Sequence, residues 1–406
     1  MIAGGGRTRG ERSGRGAEQQ RALTTLNEEN ENIRAAWLWA ARQGQLAALA
    51  QSVDALYRFY NASHRYVEGV ELLEAVLQAL TEPTESEDGL VRKLFNRIGG
   101  FYANLGRFEQ AQTLLTTGLA LSESLGLVAE QAFCLHVLGE MAGWMGDFTL
   151  GIEQLRASLT LGRALGDPER IAQTLARLTE FTLGLDDYMT SKQYGNEYLS
   201  LARQLGNYRF VAHALRMLAY NVFSLGEFHA SIDYCREGLQ LAEINKDQLE
   251  LSLMISMDLL NSTMIGRLPA SVVKAQSGRA LALAQASGHR YYMAVQLYLL
   301  AQILGAYQEF QLAHQYCVEG MRVANEVHAT AIALACQAVL GDIQCQQGDL
   351  SASRRTLWVA LQRGNTLAIP KFIAETLLYV GALFSAERQA RAGEEALREK
   401  CIDVEI

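Results

Sequence analysis

Proline is scarce, four among 406 residues, whereas Ala and Leu abound. That is a helical composition. Basic charge is in deficit too: the formal net charge of -8 argues against a general nucleic-acid binder, whose footprint is a basic face. No apolar run reaches the ~18 residues that a membrane span needs. The start, Met1-Ile2-Ala3-Gly4-Gly5-Gly6 followed by arginines, has no apolar stretch of a secretory signal. A cytoplasmic chain with neither nucleic acid nor membrane as direct partner is expected.

Catalytic signatures are missing as well. Gly4-Gly5-Gly6 lacks the strand and the Gly-Lys-Ser/Thr ending of a phosphate loop, which occurs nowhere else in the chain. The seven histidines, His64, His136, His213, His229, His289, His314 and His328, form no pair at i+3 or i+4 and no HExxH. There is no GxSxG. Cys134, Cys235, Cys317, Cys336, Cys345 and Cys401 make no CxxC, and most fall at apolar helical positions. They read as small buried hydrophobes in a reducing compartment, with zinc or disulfides as the alternative. Asp186-Asp187 and Glu394-Glu395 fall at turns or solvated faces, and Trp37, Trp39, Trp144 and Trp358 read as packing residues. No catalytic residue, metal or cofactor is expected.

What is present is a repeat. Variants of Gly106-Arg107-Phe108-Glu109-Gln110-Ala111 return with anchors at Tyr66, Phe108, Phe148, Tyr188, Phe228, Leu268, Phe310 and Leu350, in steps of 42, 40, 40, 40, 40, 42 and 40 residues. Three places after each anchor stands Gly69, Ala111, Gly151, Ser191, Ser231, Ser271, Ala313 or Ser353. Repetition at such a period is the mark of a solenoid, and it overrides the count of two or three domains that length alone suggests. With 49% hydrophobic residues there is enough apolar surface for a continuous interior.

Offsets from the turn residue two places before each anchor define two helices per unit. Eleven places before the turn lie Phe95, Leu135, Leu175, Leu215, Ile255 and Leu297. Eight before lie Ile98, Leu138, Leu178, Leu218, Leu300 and Leu340, with Asp258 as the exception. Seven before lie Gly99, Gly139, Thr179, Ala219, Ala301, Gly341 and Gly381, nearly all small, where a neighbouring helix can approach closely. The second helix keeps Leu119, Leu159, Leu199, Leu239, Met321 and Leu361 eleven after the anchor. Gly126, Gly166 and Gly206 stop second helices, and Pro168, Pro269 and Pro370 begin helices.

This order of apolar, apolar, small, turn glycine, aromatic, small and leucine resembles the tetratricopeptide repeat, over about residues 46 to 392. Units near 40 residues resemble the longer-helix variants of kinesin light chains and bacterial regulators. The implied fold is all-α, a right-handed α-solenoid of about eight to nine helix pairs. Departures are Asp258, the Leu268-Pro269 turn and a two-residue insertion before Leu281. In that family partners lie along the first helices on the concave side. The resemblance therefore implies a partner-binding row of Asn96, His136, Arg216, Ser256 and Tyr298 ten before the turn. It adds Glu140, Glu180, Tyr220, Gln302 and Asp342 six before, and Asn104, Trp144, Ser224 and Gln346 two before. Arg216 with Tyr220, one turn apart, is the spot best suited to a carboxylate.

A second resemblance concerns context. Asn27-Glu28-Glu29-Asn30-Glu31-Asn32-Ile33-Arg34-Ala35-Ala36-Trp37-Leu38-Trp39-Ala40, then Glu68-Gly69, is similar to the junction that opens the repeat array of bacterial STAND-class signalling ATPases with LuxR- or SARP-type outputs. The resemblance implies a non-enzymatic sensor or regulatory region with protein or peptide partners. The alternative is the arm of a split or truncated STAND NTPase, which it restrains until a ligand binds, with the NTPase or DNA-binding domain encoded separately. The expected organisation is a disordered Gly/Arg-rich leader (1–20), opening helices (21–80), an acidic surface connection (81–88) and the repeat array (89–406).

Overall fold

The computed structural model describes residues 22–80, 88–266, 268–327, 329–367 and 370–402. The expected leader lies outside these residues, as does the acidic connection apart from the backbone of Asp88. The chain divides into two compact units, Met1–Ala214 and Leu215–Ile406.

Among the described residues the regular structure is α-helical. A short helix over 22–28 (α1) leads to α2 (Asn30–Arg42), α3 (Leu46–Ala62), α4 (Tyr66–Ala79), α5 (Asp88–Asn104) and α6 (Phe108–Ser124). Then come α7 (Val128–Trp144), α8 (Phe148–Leu165), α9 (Pro168–Gly184), α10 (Tyr188–Leu205) and α11 (Tyr208–Ser224), inside which the division falls. The second unit continues with α12 (Phe228–Asn245), α13 (Gln248–Met264), α14 (Ala270–Ala286), α15 (Arg290–Ala306) and α16 (Phe310–Glu326). It closes with α17 (Thr330–Gln346), α18 (Leu350–Leu367) and α19 (Pro370–Ile402). From α3 onward the odd-numbered helices are the first and the even-numbered the second members of the pairs. From α2 to α10 and from α12 to α19 consecutive helices pack, and within those stretches first helices also touch the next first helix. The fold class is an all-α solenoid. No described helix is long and apolar enough to cross a membrane.

Turn chemistry sets the cadence. The residue two before each anchor takes a left-handed backbone: His64, Gly106, Gly146, Asp186, Gly226, Gly266, Gln308 and Gly348 all have positive φ. Where that residue is not glycine, a tyrosine anchor holds it in two of three cases. The Tyr188 hydroxyl donates to Asp186 Oδ1 at 2.6 Å, and that of Tyr66 lies 2.8 Å from His64 Nδ1. Second helices α8 and α10 stop on left-handed Gly166 and Gly206. Pro168 opens α9, capped by Asp167, which accepts from the Glu169 and Arg170 amides. Pro269 stands one residue ahead of α14 as its cap, so it precedes the helix instead of beginning it.

Within a pair the two small rows meet. A methyl group on Gly99, Gly139 or Gly341 would lie 2.9, 2.8 or 2.6 Å from the Leu115, Leu155 or Leu357 side chain, each leucine sixteen residues on. Where the later small residue is serine, its hydroxyl donates to the facing carbonyl twelve residues back. Ser191 reaches Thr179 O at 2.9 Å, Ser231 reaches Ala219 O at 2.8 Å and Ser353 reaches Gly341 O at 2.7 Å. Cys235 and Cys317 take the leucine position of their second helices and are fully buried. The row eight before the turn is buried at Ile98, Leu138, Leu178, Leu218, Leu300 and Leu340. Asp258 is half-buried, and α13 packs on α14 and α15 regardless.

Some expected core residues face solvent. Phe95 is exposed. So are Trp39, Trp144 and Trp358, and of the four tryptophans only Trp37 packs into the core. Tryptophan read as core from composition alone does not separate these three from Trp37.

Candidate functional site

In the first unit the first helices carry a sheltered polar cluster. Arg97 on α5 is the centre. Its Nε and Nη2 donate to Asp54 Oδ1 of α3 at 2.8 and 2.5 Å, and its Nη1 and Nη2 donate to Glu130 of α7 at 2.9 Å each. Asn96 Nδ2 adds a 2.8 Å bond to the same Glu130. Arg97 and Glu130 are almost wholly buried, whereas Asp54 is 42% exposed. Burial by itself would raise both carboxyl pKa values, but the Arg97 guanidinium outweighs it and holds Glu130 and Asp54 below the ordinary carboxylate range. The Arg97 guanidinium also lies 3.8 Å from the Phe133 ring centroid, and Tyr57 meets that ring edge-on at 5.3 Å.

Further along α7 a second set follows, shared with α9. Glu140 on α7 accepts from Arg177 Nε of α9 at 2.6 Å, with His136 Nε2 at 3.6 Å. Burial opposes its ionisation, yet His136 and Arg177 together pull its pKa down to about 2. His136 Nδ1 faces Thr174 Oγ1 at 3.1 Å, and Arg177 Nη1 donates to Glu180 Oε2 at 2.7 Å. Asn96 therefore belongs to the first set and His136, Glu140 and Glu180 to the second, on α5, α7 and α9. Asn104 donates to its own helix at Gly100 O, 2.9 Å away, and Trp144 is solvent-exposed. Neither joins the cluster.

In the second unit the predicted residues form separate contacts. Arg216 Nε donates to Glu250 at 3.2 Å, and its guanidinium carbon is 5.9 Å from the Tyr292 ring. The carboxylate and ring beside Arg216 are thus supplied by the next first helices, Glu250 of α13 and Tyr292 of α15. Burial raises the Glu250 pKa despite Arg216. Ser224 donates to Tyr220 O at 3.1 Å, inside α11. Ser256 Oγ donates to Gln296 Oε1 in a buried set with Ser252. The Tyr298 hydroxyl donates to Glu375 at 3.2 Å and Gln302 Nε2 to the Tyr379 hydroxyl at 3.1 Å, both on α19. Asp342 accepts from Gln346 at 2.7 Å, and burial raises its pKa.

Sequence reasoning missed Tyr57, Arg97, Glu130, Phe133, Arg170 and Arg177. Arg97 and Arg177 share an offset, nine before their turns, as Glu130, Arg170 and Glu250 share sixteen before. A charge set among the apolar rows of a helix was the available signal. Among the described residues no three of His, Cys, Asp and Glu gather as a metal site.

No family model matches the chain, and no curated protein does either. Solved structures share its fold. A Rap protein complexed with Competence and Sporulation Factor aligns over 85% of this chain and 98% of its own, with a TM-score of 0.58 at 14% identity. The apo form of RapI aligns over 87% and 99%, with a TM-score of 0.56 at 12% identity. The Rap conjugation gene regulator of plasmid pLS20, solved with the Phr* peptide, aligns over 87% and 98%, with 0.51 and 11%. At these identities the likeness is one of fold, a tetratricopeptide-like helical repeat.

Proposed function

We propose that the chain is a non-catalytic interaction module, the sensor or regulatory repeat region of a signalling regulator, and that it binds an extended peptide or protein segment along its first helices. The observation that carries this reading is the polar face of the first unit. There Asp54, Arg97, Glu130, Glu140 and Arg177 fix charge, and Tyr57 and Phe133 fix aromatic surface, on four successive first helices. The buried pairs hold this face rigid, and its solvent-facing rim of Asp54, Arg177 and Glu180 offers an extended segment hydrogen-bonding groups at helix-to-helix spacing. Two of the fold relatives were solved with Competence and Sporulation Factor and with the Phr* peptide, and the latter supports a peptide as the ligand class. On this reading residues 21–80 open the array and 89–406 form it.

The test is a peptide-array and pull-down screen with the full chain. Glu180→Ala with Trp144→Ala removes exposed groups beside the first-unit face, and Arg216→Ala with Tyr220→Ala removes the second-unit spot. Reduced retention of a bound segment by at least one double variant is expected. Unchanged affinity for every partner in both variants rejects the face.

A second reading, the arm of a split or truncated STAND NTPase, draws on the opening junction. Asn30 is buried, accepts from the Tyr60 hydroxyl at 2.9 Å and donates to Glu68 at 3.3 Å, while Arg34 donates to Glu68 O. The residues that resemble the STAND junction thus form a fixed joint between α2, α3 and α4. An NTPase reading frame ending just upstream, whose product binds this chain through α2, is the expected outcome. A freestanding gene with no such neighbour counts against it.

A further inference from the structure

Two arginines approach the Phe133 ring, and they differ in what surrounds their donors. Arg97 spends its guanidinium on four bonds to Asp54 and Glu130. Arg170, on the first turn of α9, has its guanidinium carbon 5.4 Å from the same ring centroid and a side chain only 18% exposed. The carboxylate paired with it is Asp167, 3.9 Å from Nε, and the other Asp167 oxygen is already engaged in capping α9. Among the described residues the Arg170 guanidinium donates no hydrogen bond to any protein acceptor. A sheltered cation in that state is unfavourable by itself, and the buried, charged Arg97 beside the same ring adds repulsion.

We infer that Arg170 anchors a carboxylate of the bound segment, so that the ligand is an acidic peptide or one held by its free C-terminus. The inference rests on the peptide-binding reading and adds the chemistry of one contact to it. A guanidinium stacked on an aromatic ring keeps its edge free for two parallel bonds to a planar carboxylate. Single negative charge is favoured over a phosphate dianion, because Asp167 and the Glu169 carboxylate, itself paired with Arg58, flank the position. Burial and Arg97 both lower the Arg170 pKa, a strain that an incoming anion relieves.

The experiment is a fluorescence-polarisation screen of the full chain against random hexapeptides in four sets. These carry a free or amidated C-terminus, each with or without Asp and Glu. The expected result is enrichment of carboxylate-bearing peptides. The amide-capped sets separate an acidic side chain from the C-terminus as the source. Arg170→Gln is expected to weaken selected peptides at least tenfold, down to the level of their neutral analogues, and Arg170→Lys to fall between. Because Arg170 lacks an acceptor in the free protein, Arg170→Gln is expected to keep or raise the melting temperature, which separates lost recognition from lost folding. Equal binding of all four sets, or an Arg170→Gln protein that keeps the carboxylate preference, overturns the anchor and leaves peptide binding standing. Binding of no set overturns both.

Discussion

Arg177 Nε lies 2.6 Å from Glu140 and joins α9 to α7 in the same place where Arg97 joins α5 to its neighbours. The sheltered carboxyls on the first helices respond to acid with opposite sign in the two units. Glu140, Glu130 and Asp54 have depressed pKa values, so the stability they contribute is present above their ordinary values and is lost as pH falls. For Glu140 the window runs from about 4.5 down to about 2, with a contribution on the order of 2–3 kcal/mol. Glu250 and Asp342 have raised values, so their carboxyls favour the fold when protonated and their contribution is lost as pH rises through the folded value. Hydrogen exchange between pH 6.5 and 3.5, corrected for intrinsic rate, should show α5, α7 and α9 losing protection before α13 and α17. Equal loss in both units contradicts the assignment.

Adding one methyl group should have opposite effects at two glycines of the same row. At Gly139 it meets Leu155 Cγ at 2.8 Å and the Gly151 carbonyl at 3.0 Å, and backbone cannot swing aside. Gly139→Ala is expected to destabilise by about 1–3 kcal/mol, and Gly139→Leu to loosen the pair outright. At Gly381 nothing lies within 4 Å, so Gly381→Ala is expected to stabilise by about 0.5–1 kcal/mol. Urea midpoints of the two variants check the contrast.

Gln308 holds the left-handed turn position with φ 60 and no tyrosine anchor, since Phe310 follows. Gln308→Gly should therefore relieve about 1 kcal/mol of backbone strain, read as a higher melting temperature. Asp186→Gly should gain less, because it also gives up the bond from Tyr188.

The buried thiols should be inert. Burial pushes Cys134, Cys235 and Cys336 up to about 12, and Cys317 higher still. In a Cys401→Ser background at pH 8, only the partly exposed Cys345 is expected to react quickly with a thiol reagent. Rapid labelling of Cys235 in the native protein rules this out.

The cadence was readable because its determinants are local. Gly139, Gly151 and Leu155 lie within sixteen residues, and the turn residue, anchor and small position recur at fixed offsets. The polar face was readable only in part. His136, Glu140 and Glu180 fall on the row that the repeat resemblance implies, and the structure links them. Arg216 fell on the row too, but its carboxylate comes from Glu250, thirty-four residues away. The Arg97 contacts with Asp54 and Glu130 reach forty-three and thirty-three residues along the chain, and Arg58 with Glu169 spans one hundred and eleven. Partners at such separations depend on how successive pairs are rotated, which no single period records. Trp144 also falls on that row, and its side chain is exposed there.

The glycine–leucine clasps have a kinetic corollary. Each closes a loop of only sixteen residues, so the entropy lost in forming it is small and is recovered before any distant segment has to be found. Assembly can begin at whichever hairpin docks first and spread outward from it in both directions.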